Sequence, residues 1–241
     1  MIVIPDVHGR KFWKQVVTNL NNGEEMIFLG DYLDPYSWEG ISKRQAIETL
    51  HEVIALKQAY PQLVTLLLGN HDMMTYISED MGYCRTDFDN KEEIRAIYRK
   101  FHDLFEMATI RTVNGQKYVF SHAGILANWA SDPRVQPVLG CESDDIDGIV
   151  EALNLLWSEH DPRLYKILDH VSHYRGGQQA TGSPVWADVN EWDDQNPDYE
   201  GVYQVFGHSQ QTSRPLLFLS FACLDCRKAF RLNEDGFTLL S

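Results

Sequence analysis

Met26-Ile-Phe-Leu-Gly-Asp-Tyr-Leu-Asp34 is an apolar run that breaks into a polar turn carrying two carboxylates. Two other short apolar runs, residues 1–5 and Leu63 to Leu68, end in the same way. Helical stretches lie between these runs, from about Phe12 to Leu20 and from Ile47 to Leu56. Because strands alternate with amphipathic helices, the first half predicts an α/β sheet covered on its faces.

Polar clusters follow five of the apolar runs, at the point where each run ends. In open α/β sheets, the loops beyond the carboxyl ends of the strands carry binding and catalytic groups. A turn or helix cap explains one such cluster equally well, whereas five in order indicate a two-metal site with oxygen and imidazole ligands. This mixture of ligands suits manganese, iron or zinc better than calcium. The clusters are Asp6-Val7-His8-Gly9, Gly30-Asp31-Tyr32-Leu33-Asp34, Gly69-Asn70-His71-Asp72, Ser121-His122-Ala123-Gly124 and Gly207-His208-Ser209.

The length of 241 residues allows one sizeable core, and chains of this length often form one domain. No repeat, low-complexity segment or linker divides the sequence, so we expect a single domain over residues 1–241. Residues from about 125 to 200 are irregular and rich in Asp, Trp, Gly and Pro. We expect them to form a cap-like insertion that faces the substrate.

The second half predicts a further sheet. Lys91 to Phe105 has helical spacing, and two strands then surround the turn at Asn114-Gly115. The tail adds more strand-like runs, and from the residues alone we expect a second, mainly antiparallel sheet. The predicted strands are Met107 to Val113, Tyr118 to Phe120, Val202 to Phe206, Leu216 to Phe221, Ala229 to Leu232 and Phe237 to Leu240.

The formal net charge of −14 opposes binding of a long nucleic acid, which draws on many Lys and Arg contacts. No apolar stretch approaches the roughly 20 residues of a membrane-spanning helix, so we expect no membrane partner. Met1 leads straight into the first strand without a secretory signal, and four cysteines are too few for a disulfide scaffold. These features predict a cytoplasmic protein.

In this order, the clusters resemble the calcineurin-like metallophosphoesterase superfamily, particularly its phosphoprotein phosphatase and diadenosine tetraphosphatase branch. The branch is indicated by Gly30-Asp-Tyr-Leu-Asp34, by Gly207-His208 and by Trp186-Ala-Asp188. The similarity covers positions 6 to about 226. It implies an α/β sandwich of two mixed β-sheets flanked by helices, with an irregular cap insertion.

The resemblance also implies a role for each cluster. The metal ligands would be Asp6 and His8 for the first ion, Asp31 as the bridge, and Asn70, His122 and His208 for the second ion. His71 would protonate the leaving alkoxide and Asp34 would orient His71. A histidine suits this task because its ordinary pKa lies near 6.5, and a carboxylate at its other nitrogen fixes the tautomer.

The implied reaction is hydrolysis of a phosphate monoester by in-line attack of a metal-bridging hydroxide. The substrate would be a phosphorylated small molecule, a nucleotide or a phosphoprotein, the last making the enzyme a serine/threonine phosphatase. One alternative is hydrolysis of dinucleotide polyphosphates or other phosphodiesters. Another is a metallophosphoesterase scaffold without catalysis that acts as an interaction module.

The sequence departs from the phosphatase branch at the phosphate clamp. The branch usually continues its second cluster with arginine and glycine, where this chain has Pro35 and Tyr36. The span from Trp186 to His208 also contains no arginine. We expect Arg175 or Arg10 to bind the substrate phosphate instead, since arginine suits two-pronged phosphate contacts.

Overall fold

The computed structural model describes residues 1–78, 84–192 and 198–240. The chain divides into two compact units, the first formed by Met1–Phe105 with Cys226–Ser241 and the second by Glu106–Asp225. Each unit contains a mixed β-sheet and helices, which confirms the predicted α/β class with two mixed sheets. The single domain and its cap-like insertion stay predictions.

Among these residues, the strands are short and most follow the predicted apolar runs. In chain order they are β1 (Ile2–Ile4), β2 (Met26–Phe28), β3 (Val64–Leu67), β4 (Phe105–Glu106), β5 (Ala108–Val113), β6 (Gln116–Ser121), β7 (Val202–Phe206), β8 (Leu216–Leu217), β9 (Phe221–Cys223), β10 (Phe230–Asn233) and β11 (Gly236–Leu239). The predicted strand from Leu216 to Phe221 was wrong, because the chain turns at residues 218–220 and the run is divided between two antiparallel strands.

The helices of the described segments include several short turns. The α-helices are α1 (Lys43–Ala59), α2 (Asn70–Asp72), α3 (Lys91–Lys100), α4 (Ala127–Ala130), α5 (Gln136–Leu139), α6 (Ile146–Ser158) and α7 (Pro162–Leu168). The 3₁₀ helices are Phe12–Asn22, Ser37–Glu39, His102–Leu104, His173–Arg175 and Val189–Glu191, and Met73–Ile77 is a π-helix. No helix in this part of the chain is long and apolar enough to cross a bilayer.

The sheet of the first unit has the strand order β11-β10-β1-β2-β3-β4. Strands β1, β2 and β3 are parallel neighbours, and the residues of β1 and β2 are fully buried. Continuous apolar strands are typical of parallel sheets covered on both faces. Since the three strands run in one direction, the residues that follow them meet at one edge of the sheet.

The sheet of the second unit has the order β5-β6-β7-β9-β8. Its β5–β6 hairpin turns at Asn114 and Gly115, both with positive φ, as the sequence predicted. The expectation of a mainly antiparallel sheet was wrong, because β6 pairs with β7 and β7 with β9 in parallel. Parallel pairing needs a long crossover, which α4 to α7 supply between β6 and β7.

The tail strands were also assigned to the wrong sheet. Strand β10 pairs antiparallel with β1, and β11 pairs with β10, so both belong to the first unit. In β10, Phe230 and Leu232 are buried while Arg231 and Asn233 are partly exposed, a pattern suited to one covered face. The predicted helix from Lys91 to Phe105 is shorter than expected: α3 ends at Lys100, a 3₁₀ turn follows at His102–Leu104, and Phe105 begins β4.

Candidate functional site

Three predicted metal ligands come together in the first unit. Asp6 and His8 follow β1, and Asp31 follows β2, its parallel neighbour. One side-chain donor atom from each residue lies within 4.8 Å of the other two. All three side chains are buried, at 1%, 3% and 2% exposure. This is a group of two carboxylates and one imidazole that water barely reaches.

The protonation of His8 suits a metal ligand. Its Nδ1 lies 2.6 Å from the carbonyl oxygen of Leu33, so Nδ1 carries the proton and donates it. Burial, with the charges of His71 and Arg10, holds the pKa of His8 well below its usual value. The imidazole is therefore neutral, and its unprotonated Nε2 lies 3.6 Å from Asp31 Oδ2.

The crowding of carboxylates around Asp31 favours a bound cation. Burial raises the pKa of Asp31 well above its usual range, and the nearby Asp6 and Asp72 raise it further. A cation beside Asp31 would offset this cost of its negative charge and would also bind the unprotonated Nε2 of His8. The residues present therefore fit a divalent metal ion.

A buried carboxylate that the sequence analysis left without a role holds Asp31 in place. Asp72 is fully buried and accepts hydrogen bonds from the backbone N–H groups of Asp31, at 2.8 Å, and Tyr32, at 3.2 Å. It also accepts from the Gly69 N–H at 2.9 Å and from the Tyr98 hydroxyl at 2.5 Å. The loops after β2 and β3 are thereby tied to one side chain.

Strained backbone concentrates at the predicted site. Seven non-glycine residues in the described ranges have positive φ, and four of them are His8, Asp31, Asp34 and His208. Such conformations each cost about 1–3 kcal/mol and tend to cluster at functional sites. Gly30, at φ +106°, is also closely packed, since a Cβ there would lie 2.5 Å from the Gly69 nitrogen.

The predicted acid and its partner lie beside the metal-ligand group. His71 Nδ1 lies 2.8 Å from Asp34 Oδ2, and the His71 ring centroid is 5.2 Å from that of His8. The Tyr76 hydroxyl donates to Asp34 Oδ1 at 2.5 Å. Burial lowers the pKa of His71, but Asp31 and Asp34 outweigh it and raise the pKa above its usual value. The ring is therefore disposed to hold a proton.

Asn70 is the first residue of α2, at the end of β3, and is buried. Its side-chain nitrogen donates to the Cys84 sulfur at 3.3 Å. The amide nitrogen makes this contact, and the amide oxygen is the atom that would bind a metal.

The two remaining predicted ligands meet in the second unit. His122 follows β6 and His208 follows β7, its parallel neighbour. His122 Nε2 lies 3.1 Å from His208 Nδ1, and both rings are buried. The Trp186 ring stands perpendicular to His208 at 5.8 Å. The structure thus brings together the two imidazoles that were assigned to one metal ion.

Arg175 lies beside this pair but is engaged with protein groups. Its Nε is 2.7 Å from Asp188 Oδ2, and its Nη2 donates to Ser209 Oγ at 2.7 Å and to the His208 carbonyl at 3.3 Å. The guanidinium therefore fixes the loop that carries His208. Its role in binding phosphate stays a prediction.

Arg10 is likewise engaged. Its guanidinium pairs with both carboxylate oxygens of Glu39 at about 3.0 Å and donates to the Asp6 carbonyl oxygen at 3.1 Å. It is buried, so these contacts anchor the turn after β1. Its role as a substrate ligand also stays a prediction.

One arginine near the first group was missed by the sequence analysis. The Arg85 guanidinium lies 3.9 Å over the ring of Tyr36 and donates to the Asp34 carbonyl oxygen at 3.0 Å. Its charge contributes to the lowered pKa of His8 and partly opposes the raised pKa of His71. No motif or spacing surrounds Arg85, and only the fold places it here.

Comparison with known proteins decides the family. A family model described as calcineurin-like phosphoesterase matches residues 1–211. The chain belongs to the calcineurin-like phosphoesterase family. This result confirms the resemblance drawn from the five clusters and gives the ligand groups a family context.

One relative and one solved structure of similar fold carry phosphatase names. The chain is 23% identical over 165 residues to a protein phosphatase 2A catalytic subunit from Dictyostelium discoideum, and the match covers 66% of this chain. It covers 49% of that relative, so the chain spans about half of the relative's length. The chain also shares its fold with a solved protein serine/threonine phosphatase of Saccharomyces cerevisiae that has similarity to human PP5. The TM-score is 0.51 and the sequence identity is 14%, and the match covers 98% of this chain and 75% of that one.

Proposed function

We propose that the protein is a dinuclear-metal-dependent phosphatase that hydrolyses phosphate monoesters. The observation that carries the proposal is the position of the His71–Asp34 pair beside the group formed by Asp6, His8 and Asp31. An acid next to a set of metal ligands is what a hydrolase of phosphate esters needs. Family membership and the names of the relative and of the solved structure support this class of reaction.

The metal ligands divide into two sets. Asp6, His8 and Asp31 would hold one ion, as their buried donor atoms suggest. Asn70, His122 and His208 would hold the second ion together with Asp31, as the family resemblance implies. When bound, two ions of manganese, iron or zinc supply Lewis acidity that neutralises the phosphoryl oxygens and activates the attacking water.

The protein side chains would handle the departing group. His71 holds its Nδ1 toward Asp34, which leaves the other ring nitrogen to give a proton to the leaving oxygen. Asp34 fixes the tautomer and stabilises the imidazolium. Burial and Asp34 raise the pKa of Tyr76, so the hydroxyl of Tyr76 stays protonated and keeps donating to Asp34.

The substrate is proposed at the level of its chemistry. The names of the relative and of the solved structure favour a phosphoserine or phosphothreonine protein, and phosphorylated small molecules or nucleotides fit the same reaction. A cytoplasmic location is proposed from the sequence, since four cysteines are too few for a disulfide scaffold in a chain of this length.

A metal analysis combined with turnover tests the proposal. The purified chain is loaded with manganese, and hydrolysis of p-nitrophenyl phosphate and of a phosphoserine peptide is measured for the wild type, D31N and H122N. We expect both variants to lose metal-dependent turnover while keeping the wild-type circular dichroism spectrum. D103N is the matched control, because the Asp103 side chain is almost fully exposed and belongs to neither ligand group.

Three results would contradict the proposal. Full activity in D31N or H122N would remove these residues from the metal site. A wild type that binds manganese but hydrolyses neither ester would favour the interaction-module alternative. Activity confined to diadenosine tetraphosphate or to the bis(p-nitrophenyl) ester would favour the diester alternative.

A further inference from the structure

An arginine, Arg85, stacks on one of the two residues that replace the expected phosphate clamp. Pro35 and Tyr36 replace the arginine and glycine of the phosphatase branch. The Tyr36 ring lies 5.4 Å from the His8 ring, and its face supports the Arg85 guanidinium at 3.9 Å. Tyr36 therefore serves as a platform that holds a cation beside the predicted ligands.

The charge of Arg85 is not neutralised within the described ranges. Eight other arginines lie within ion-pair distance of a carboxylate, as expected in a chain of net charge −14. No carboxylate of residues 1–78, 84–192 or 198–240 pairs with Arg85, whose guanidinium donates instead to the Asp34 carbonyl oxygen at 3.0 Å. Arg85 is also exposed, so a ligand from solution can reach it.

The geometry of a stacked guanidinium suits a phosphate. Stacking on Tyr36 fixes the plane of the group, and its N–H donors point outward in that plane. The Asp34 carbonyl oxygen accepts a hydrogen bond from one side of the guanidinium. The remaining N–H groups of Arg85 can donate to two oxygens of one phosphate. Asp34 also contacts His71, so the cation and the predicted acid share one neighbour.

We propose that Arg85 is the phosphate-binding arginine of this protein and that it selects a terminal phosphate over a phosphodiester. This proposal rests on the proposed phosphatase function. A terminal phosphate ester presents three non-bridging oxygens and up to two negative charges, whereas a diester presents two such oxygens and one charge. Removing the guanidinium therefore weakens binding of the monoester more than binding of the diester.

The test compares two esters across a small set of variants. In manganese-loaded protein we expect R85A to lower kcat/KM for p-nitrophenyl phosphate about 10- to 100-fold, the loss typical of charged hydrogen bonds. For the bis(p-nitrophenyl) ester we expect a loss below about threefold. R85K keeps the charge but not the planar fork, and we expect an intermediate loss. Y36A removes the platform and is expected to behave like R85K.

R99A is the matched control, since Arg99 is an exposed arginine on α3 of the same unit. It should keep wild-type kinetics on both esters. Metal content and melting temperature are measured for every variant. If R85A does not fold, the kinetics of R85K and Y36A test whether Arg85 binds the substrate phosphate. R175A and R10A are run beside them to compare the arginines predicted from the sequence.

Binding of inorganic phosphate, measured by calorimetry on manganese-loaded protein, gives a readout independent of turnover. We expect R85A to bind phosphate at least about 10-fold more weakly than the wild type and R99A. Unchanged phosphate binding and unchanged monoester kinetics in R85A would overturn the proposal, and equal losses on both esters would overturn the selectivity. A wild type that binds phosphate through Arg85 but turns over neither ester would contradict the proposed function alone.

Discussion

The Tyr76 hydroxyl donates to Oδ1 of Asp34 at 2.5 Å, while the other oxygen of the same carboxylate lies 2.8 Å from His71 Nδ1. Asp34 is thereby held between two partners and cannot rotate away from the histidine. The backbone N–H of Asp87 in turn donates to the Tyr76 oxygen at 2.9 Å. Tyr76 is a positioning residue for the predicted acid, and no sequence motif identified it.

We predict that the importance of this chain of contacts depends on the leaving group. H71N should lower kcat for a phosphoserine peptide by about 100- to 1,000-fold, because a serine alkoxide needs a proton to depart. The loss should be much smaller for p-nitrophenyl phosphate, whose phenolate leaves without one. Y76F should lower kcat for the peptide several-fold with little change in KM. Y60F is the control, since the Tyr60 hydroxyl contacts Asn21 at an exposed position. Equal losses on both substrates would argue against His71 as the acid.

Asp72 is predicted to be a large contributor to stability. D72N keeps the size of the side chain but removes the charge that four donors share, so we expect a loss of about 2–4 kcal/mol in the free energy of unfolding. Urea titration of metal-free protein measures this loss without a contribution from metal binding. Y98F, which removes one donor, should lose about 1 kcal/mol. If D72N unfolded at the same urea concentration as the wild type, the result would show that water replaces these hydrogen bonds at little cost.

Metal binding should stabilise the chain through the Asp6–His8–Asp31 group. At a manganese concentration of 100 times the Kd, linkage predicts a gain of about 2.7 kcal/mol in the free energy of unfolding. H8Q should lose most of this gain in a thermal melt with and without manganese. H51Q is the control because His51 is exposed on α1. An undiminished gain in H8Q would place the stabilising ion elsewhere.

The pH dependence of stability should include a term from the Glu24–Arg231 pair. Arg231 Nε lies 2.7 Å from Glu24 Oε1, and this contact holds the pKa of Glu24 below its usual value. A lowered pKa in the folded state gives stability that is present above the unfolded value, about 4.3, and is lost as the pH falls through the folded value.

E24Q should therefore be less stable than the wild type at pH 7, by up to about 1 kcal/mol for this partly exposed pair. The difference should shrink as the pH falls from about 5 to 3, in urea titrations of metal-free protein. E234Q, at an exposed turn position between β10 and β11, should follow the wild type throughout. If the stability difference between E24Q and the wild type stayed the same at pH 3, the difference would come from packing and not from the charge of Glu24.

The sequence predicted the parts of the site that follow directly from strand ends. Asp6, His8 and Asp31 could be placed because each stands just after a short apolar run, and parallel strands bring such positions together. The parallel pairing of β6 with β7, which unites His122 and His208, could not be read from residues alone. Alternation of apolar and polar residues does not record strand direction, which depends on the helical crossover between them.

Other features depend on contacts between distant residues. Arg85 is 51 positions away from Asp34 and reaches it only because the Tyr36 ring supports it. Asp72 stands in one of the five clusters, yet the backbone N–H groups that donate to it are known only once the turns after β2 and β3 are in place. The first β-sheet similarly takes in β10 from the end of the chain, a pairing that local patterns cannot specify.

The left-handed backbone at His8, Asp31, Asp34 and His208 has a consequence for protein engineering. Glycine adopts these conformations without strain, so stabilising substitutions of this scaffold are most accessible at the positions proposed to bind metal and to orient the acid. Selection for thermal tolerance alone would then tend to erase the proposed activity. A library screened for heat resistance therefore needs a simultaneous screen for turnover.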